Sequence, residues 1–208
     1  MKIAVLGTGM VGNAIASKLV VLGHDVTMGS RTADNVKAAA WTQAVGPRGR
    51  AGTFADAAVF GELVFNCTHG ANSLAALSAA GAANLEGKIV VDVANVLPPL
   101  GQGSDSLGEQ IQKAFPRVRL VKTLNTVTAN LMVNPGAVNE GDHTLFLCGN
   151  DADAKATVKR WLGEWFGWRD ILDLGDVTAS RGMEMYLPIW LRMWGAVGSP
   201  MFNVKLVR

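Results

Sequence analysis

Charge is scarce in this 208-residue chain, where Asp, Glu, Lys and Arg together make up 17%, well under the roughly 25% of an average soluble protein. What charge there is nearly balances, at a net +2. No run of Lys or Arg gathers it into a stripe, which excludes nucleic acid and anionic membrane surfaces as expected partners. Cysteine is almost absent. Cys67 and Cys148 each lie in an apolar, strand-like run without CxxC spacing or a suitably placed histidine, so they read as buried, reduced thiols rather than a disulfide. The first residues, MKIAVLG, run straight into a glycine turn and are too short for the apolar region of a secretory signal. Long hydrophobic runs are also missing, because the most membrane-like stretch, Met183 to Phe202, is interrupted by Glu184, Pro188 and Arg192. The expectation is a soluble cytoplasmic protein. Repeats, heptads and low-complexity tracts are absent, as are a Ser/His/Asp triad, a paired carboxylate set and a metal-ligand cluster.

What the chain has is apolar mass: 49% AVILMFWYC, with 24 glycines besides. This excludes disorder and suits a sheet covered on both faces, with apolar surface left over for a homodimer interface. Short runs rich in Val, Ile and Leu alternate with Ala-rich stretches of helical length, the rhythm of βαβ units. Strands are expected at Lys2 to Leu6, Asp25 to Met28, Leu63 to Cys67, Lys88 to Asp92, Arg119 to Lys122 and Thr144 to Cys148, with short ones near Ala51 to Phe54 and Ile171. Helices are expected at Met10 to Leu22, Ala33 to Ala44, Ser73 to Ala82, Ser106 to Phe115, Asp151 to Trp165 and Thr178 to about Trp194. A turn cluster of Pro98, Pro99, Gly101, Gln102 and Gly103 follows a strand, where an open α/β sheet keeps functional loops.

Directly after the first strand, Gly7-Thr8-Gly9-Met10-Val11-Gly12 forms the GxGxxG fingerprint in the strand-to-helix context it requires. Gly7 permits the tight turn, Gly9 lets the backbone approach a pyrophosphate, and Gly12 lets helix and strand pack closely, with Ala16 keeping that contact tight one turn on. The free amides and positive dipole end of the helix then face the anion. The other reading is a glycine turn without a ligand. At the end of the second strand, an NAD enzyme places an acidic residue on the ribose hydroxyl, whereas this chain has Ser30, Arg31 and Thr32. A guanidinium fork between two hydroxyls matches the 2′-phosphate of NADP(H), which a carboxylate would repel. Together these features predict a Rossmann-type, doubly wound α/β fold with a mostly parallel sheet and a small C-terminal α/β extension. Residues 1–208 read as a single domain, with the NADP(H)-binding core in 1–125 and a small C-terminal portion in 126–208.

The sequence resembles the small NADPH-dependent reductases typified by NADPH:coenzyme F420 oxidoreductase, whose fold recurs in the cytosolic domain of STEAP metalloreductases. The resemblance rests on GTGMVG, on GSR at 29–31, on KTLNTVTANLM at 122–132, and on the segment from Ser180 to Val207. It implies an NADP(H)-binding domain and a C-terminal portion closing a cleft where a flavin or deazaflavin ring stacks on the nicotinamide. It also implies that Thr8, Gly9, Met10 and Val11 line the pyrophosphate, Ser30 and Arg31 the 2′-phosphate, Thr68 and His69 the ribose, and that the Ala129 backbone meets the carboxamide. Deazaflavin-using members carry His where this chain has Asn125 and Pro where it has Thr128.

Asn125, Thr126 and Thr128 are the expected acceptor-pocket residues. Apart from the resemblance, Asn125 and Thr126 also read as residues that satisfy a turn. No residue is assigned as a catalytic acid or base, which fits hydride transfer between ring systems, where alignment matters more than proton transfer. Trp161 and Trp165, and Trp190 and Trp194, are spaced i, i+4 and share helix faces. Core packing is the ordinary meaning of such pairs, and the second, with Met183, Met185 and Met193, also reads as a ring-stacking wall. Two functions remain: an NADPH-dependent oxidoreductase acting on a flavin, deazaflavin or other small redox acceptor, or a non-catalytic NADP(H)-binding redox sensor that engages a partner.

Overall fold

A computed structural model describes residues 1–96 and 105–207; the turn cluster from Pro98 to Gly103 lies outside the described residues. The first half alternates β1 (Lys2–Leu6), α1 (Met10–Val21), β2 (Asp25–Ser30), α2 (Val36–Val45), β3 (Gly49–Thr53), α3 (Phe54–Phe60), β4 (Leu63–Asn66), α4 (Gly70–Ala80), α5 (Ala82–Leu85) and β5 (Ile89–Asp92). The second half carries α6 (Leu107–Ala114), β6 (Arg119–Thr123), α7 (Ala129–Val133), β7 (Thr144–Cys148), α8 (Ala152–Trp161), β8 (Asp170–Asp173), α9 (Ser180–Met185) and α10 (Leu187–Val197).

The strands form one eight-stranded sheet in the order β3-β2-β1-β4-β5-β6-β7-β8. Its first six are parallel and in the doubly wound order, so the strand order reverses between β1 and β4 and a crevice opens beyond their carboxyl ends. Alternation along β1 fills both faces: Ile3 and Val5 join Ile15, Leu19 and Val26 in one core, while Ala4 and Leu6 join Phe54, Leu77 and Leu120 in the other. A sheet apolar on both sides explains the low charge content. The extension adds β7 antiparallel to β6, with β8 parallel to β7, so both last strands point back from the crevice.

Three local features differ from the sequence expectation. The short strand near Ala51 to Phe54 ends at Thr53, because Thr53 and Asp56 form a reciprocal capping box that starts α3 at Phe54. The helices α3, α5 and α7 are new. The last helix divides at Tyr186 into α9 and α10, since Pro188 in the first turn of α10 has no amide to donate to the turn before it. Cys67 and Cys148 are buried free thiols, and burial raises both thiol pKa values, that of Cys148 to about 12. Among the described residues, no helix is long and apolar enough to cross a membrane.

Two carboxylates tie distant segments together. The Glu109 carboxylate, held by the Arg181 guanidinium and by Ser106, has its pKa lowered to about 2, and Asp151, bonded by Arg119 and the Ala154 amide, is likewise lowered to about 2. A folded-state pKa below the unfolded value contributes stability that is complete above the unfolded carboxyl range and is lost as pH falls through the folded value. Thermal unfolding followed by circular dichroism is therefore expected to show a falling midpoint from about pH 4.5 down to about pH 2. Arg181→Ala is expected to flatten part of that dependence, and an unchanged profile in Arg181→Ala would show that the pair is not coupled to folding.

Candidate functional site

The three fingerprint glycines have separate physical reasons. Gly7 has φ +118°, and a Cβ there would stand 2.6 Å from the Cys67 carbonyl oxygen. A Cβ on Gly12 would stand 2.0 Å from the Gly7 carbonyl oxygen. At Gly9 an added Cβ meets nothing within 4 Å, because that position faces open cleft. The twelve-residue α1 starts at Gly9 with no side-chain cap, whereas α2, α3, α4, α6 and α8 are capped by Asn35, Thr53, His69, Ser106 and Asp151. The leading amides of α1 are thus left for an anion, and the bare Gly9 backbone leaves room for it. These residues fit the pyrophosphate of a dinucleotide.

Two clefts meet at this helix start and share Gly9, Cys67, Thr68 and His69. The first, of about 610 Å³, runs toward β2 past Ser30, Arg31, Asn35, Phe54 and Asn72. At its mouth Arg31 is exposed and makes no ion pair or hydrogen bond among the described residues, which leaves its fork for a ligand. The Ser30 hydroxyl donates to the Thr32 carbonyl, and Thr32 is exposed but does not line the cleft. Of the three residues expected at a 2′-phosphate, Arg31 is therefore the free donor, with Ser30 beside it.

The second cleft, of about 680 Å³, is walled by Met10, Val11, Val93, Val127, Ala129 and Met132 and by Leu187, Trp190, Leu191 and Trp194 of α10, with no Asp, Glu, Lys or Arg in its lining among the described residues. Asn125 and Thr128 line it. Thr126 does not: its side chain is buried away from the lining, and its hydroxyl has no hydrogen-bond partner. The turn that delivers Asn125 passes through Leu124 at φ +64°, a left-handed backbone that a branched side chain seldom adopts. The Asn125 amide donates to Asn95 Oδ1 at 2.9 Å and to the Met183 carbonyl at 3.0 Å, fixing its orientation. His69 caps α4, with Nδ1 accepting from the Ala71 amide at 3.4 Å.

Of the tryptophan pairs, Trp161 and Trp165 stack with centroids 4.9 Å apart and pack against the core. Trp190 and Trp194 instead line the second cleft, and Trp190 lies 5.5 Å from the ring of Phe202. Met183 is buried, while Met185 is 61% exposed. Sequence reasoning did not single out Asn35, Asn72 or Asn95. Each follows a strand of the parallel sheet, and that position was the available signal.

Fold and cleft together define a Rossmann-type dinucleotide-binding protein. The family model for coenzyme F420-dependent NADP oxidoreductases matches residues 2–96. A solved protein from Arthrobacter sp. FB24, provisionally described as an F420-dependent NADP reductase, is 50% identical over the whole of both chains, with a TM-score of 0.92. The chain belongs to this coenzyme F420-dependent NADP oxidoreductase family and is an NADP-dependent oxidoreductase. Metalloreductase STEAP3 of Rattus norvegicus is 29% identical over 196 residues, which take in 91% of this chain and 38% of that protein's length. A reductive aminase from Aspergillus terreus, solved with NADPH and ethyl levulinate, shares the fold at 20% identity and a TM-score of 0.67, over 95% of this chain and 62% of that one.

Two outcomes are expected at the cofactor end. Arg31→Ala should weaken NADPH binding by about 1.5–3 kcal/mol, the scale of a hydrogen bond to a charged group, and barely alter NADH binding, as read by titration calorimetry. Equal losses for both cofactors would remove Arg31 from the phosphate. Gly9→Val should keep the circular dichroism spectrum, since a Cβ there meets no protein atom, and abolish NADPH binding.

Proposed function

We propose that the protein transfers a hydride between NADP(H), held along the α1 start and Arg31, and a neutral planar acceptor of the flavin or deazaflavin (coenzyme F420) class seated in the second cleft. The observation that carries this reading is the aromatic-walled cleft, without Asp, Glu, Lys or Arg among its described lining residues, that joins the dinucleotide cleft at Gly9, Thr68 and His69. A substrate anchored by carboxylate or phosphate next to the reacting carbon would need a cation in that lining, and among the described residues the lining has no Lys or Arg. Bound NADPH supplies the hydride. The protein's part is to hold two rings face to face and keep water out, with Trp190 and Trp194 offering flat apolar surface and Asn125 and Ala129 a polar edge. Thr68 and His69 line the join between the clefts, and Val11 lines the second. The provisional description of the Arthrobacter relative supports coenzyme F420, while Asn125 and Thr128, in place of His and Pro, support a wider acceptor range.

The reading includes a cytoplasmic homodimer. Support for the dimer comes from α10, which has no buried residue and leaves Ile189 56% and Val197 59% exposed.

Anaerobic NADPH oxidation is to be measured with FMN, FAD, riboflavin, coenzyme F420 and ferric chelates. Turnover with at least one ring acceptor is expected, with His69→Ala and Asn125→Ala each slowing it about tenfold to a hundredfold through misplacement. A loss near 10⁴-fold in His69→Ala with NADPH binding intact would mean a dedicated proton donor and a carbonyl or imine acceptor. No turnover with any of them would favour an NADP(H)-binding sensor.

A further inference from the structure

Lys122 is wholly buried and takes no part in either cleft. Its ammonium lies 2.6 Å from Asp92 Oδ2 on β5, 2.8 Å from the Ala94 carbonyl oxygen and 3.1 Å from Glu184 Oε1 on α9. Burial opposes the charge, but the two carboxylates outweigh it and hold the lysine pKa above its ordinary value.

From this centre, polar bonds run in two directions. Toward the cofactor edge, Asp92 Oδ1 accepts from the Asn66 amide at 2.8 Å, and Asn66 Oδ1 accepts from the hydroxyl of Thr68, which lines both clefts, at 2.7 Å. Toward the C-terminus, the Glu184 carboxylate accepts from the Leu107 and Gly108 amides at 2.8 and 3.1 Å, the first turn of α6. The rest of α9 is fastened beside it. The Ser180 and Ser106 hydroxyls are 2.6 Å apart, Arg181 donates twice to Glu109, and the Met183 carbonyl takes the Asn125 amide. Beyond Tyr186, α10 has no buried residue, yet it supplies Leu187, Trp190, Leu191 and Trp194 to the cleft wall; past α10 the chain is held again, with Phe202 5.5 Å from Trp190 and with Asn203, Val204 and Leu206 bonded to His143 and Thr144. That wall is therefore held from both ends, and α9 fixes the end by which the chain enters it.

We propose that Lys122 and Glu184 are positioning residues that lock α9 to the carboxyl edge of the sheet and thereby set the α10 wall of the second cleft. The assignment of the wall to an acceptor rests on the function proposed above; the lock itself does not. Directional charge bonds give α9 one register, where an apolar contact would tolerate sliding.

The test compares wild type, Glu184→Ala and Glu184→Gln by hydrogen exchange with mass spectrometry, NADPH titration and steady-state kinetics with FMN. In Glu184→Ala, exchange in 180–197 is expected to accelerate about tenfold or more, with 2–22 unchanged and NADPH affinity within about threefold. The KM for FMN should rise about tenfold, more than kcat falls. Glu184→Gln keeps an acceptor for the α6 amides and should lie between the two; it answers the question if Glu184→Ala does not fold. Unaltered exchange in 180–197, or acceleration spread evenly over the chain, would overturn the lock. Altered exchange with no turnover of FMN, FAD, riboflavin or coenzyme F420 in wild type would leave the lock standing and remove the acceptor reading instead.

Discussion

Everything in the cleft depends on α1 starting in direct contact with the turn that leaves β1. A Cβ on Gly12 would overlap the Gly7 carbonyl, so any larger residue forces helix and strand apart. The same helix carries Ile15, Ala16 and Leu19 into the core, all wholly buried. One backbone contact therefore sets two things at once: how the core of that face packs, and where the uncapped amides point. A chain that loosened this contact would lose the anion seat and core packing together.

The buried lysine follows a different logic. Removing one partner from a buried ion pair typically costs about 3–5 kcal/mol, whereas replacing the whole group by well-packed apolar residues is often neutral. The cluster of Lys122, Asp92 and Glu184 therefore contributes little net stability, and its value lies in direction. Two carboxylates against one ammonium leave an excess negative charge, which the amide end of α6 offsets through Leu107 and Gly108. In a chain so poor in charge, this is where charge is kept inside.

Much of the cofactor half was legible in the sequence because its signals are local. The glycines sit between a β-branched run and an Ala-rich helix, and Ser30 to Thr32 end a strand. The C-terminal half was harder to read, for reasons visible in particular residues. Glu184 served in the sequence as an argument against a membrane span, and its partners Lys122, Leu107 and Gly108 lie more than sixty positions earlier, beyond any periodicity. The helix α3 was hidden because its capping pair, Thr53 and Asp56, follows an apparent strand directly. The direction of β7 was not encoded in its apolar pattern, which is the same read either way. Thr126 shares the strand-end position of Asn125 yet turns inward, a distinction set by Leu124 and invisible to spacing.

The reversal of β7 leaves a seam in an otherwise continuous sheet. Between β6 and β7 the ladder registers only Lys122 with Cys148 and Thr123 with Leu147, whereas β1 and β2 are matched over five pairs. Cooperative opening units tend to divide where backbone pairing is thinnest. The least costly partial unfolding of this molecule therefore parts the sheet along that line, freeing the last two strands as a unit while the six-stranded parallel body and its glycine turn stay folded. Every residue that lines the first cleft precedes β5, so opening along that line leaves the whole of that lining in the body that stays folded.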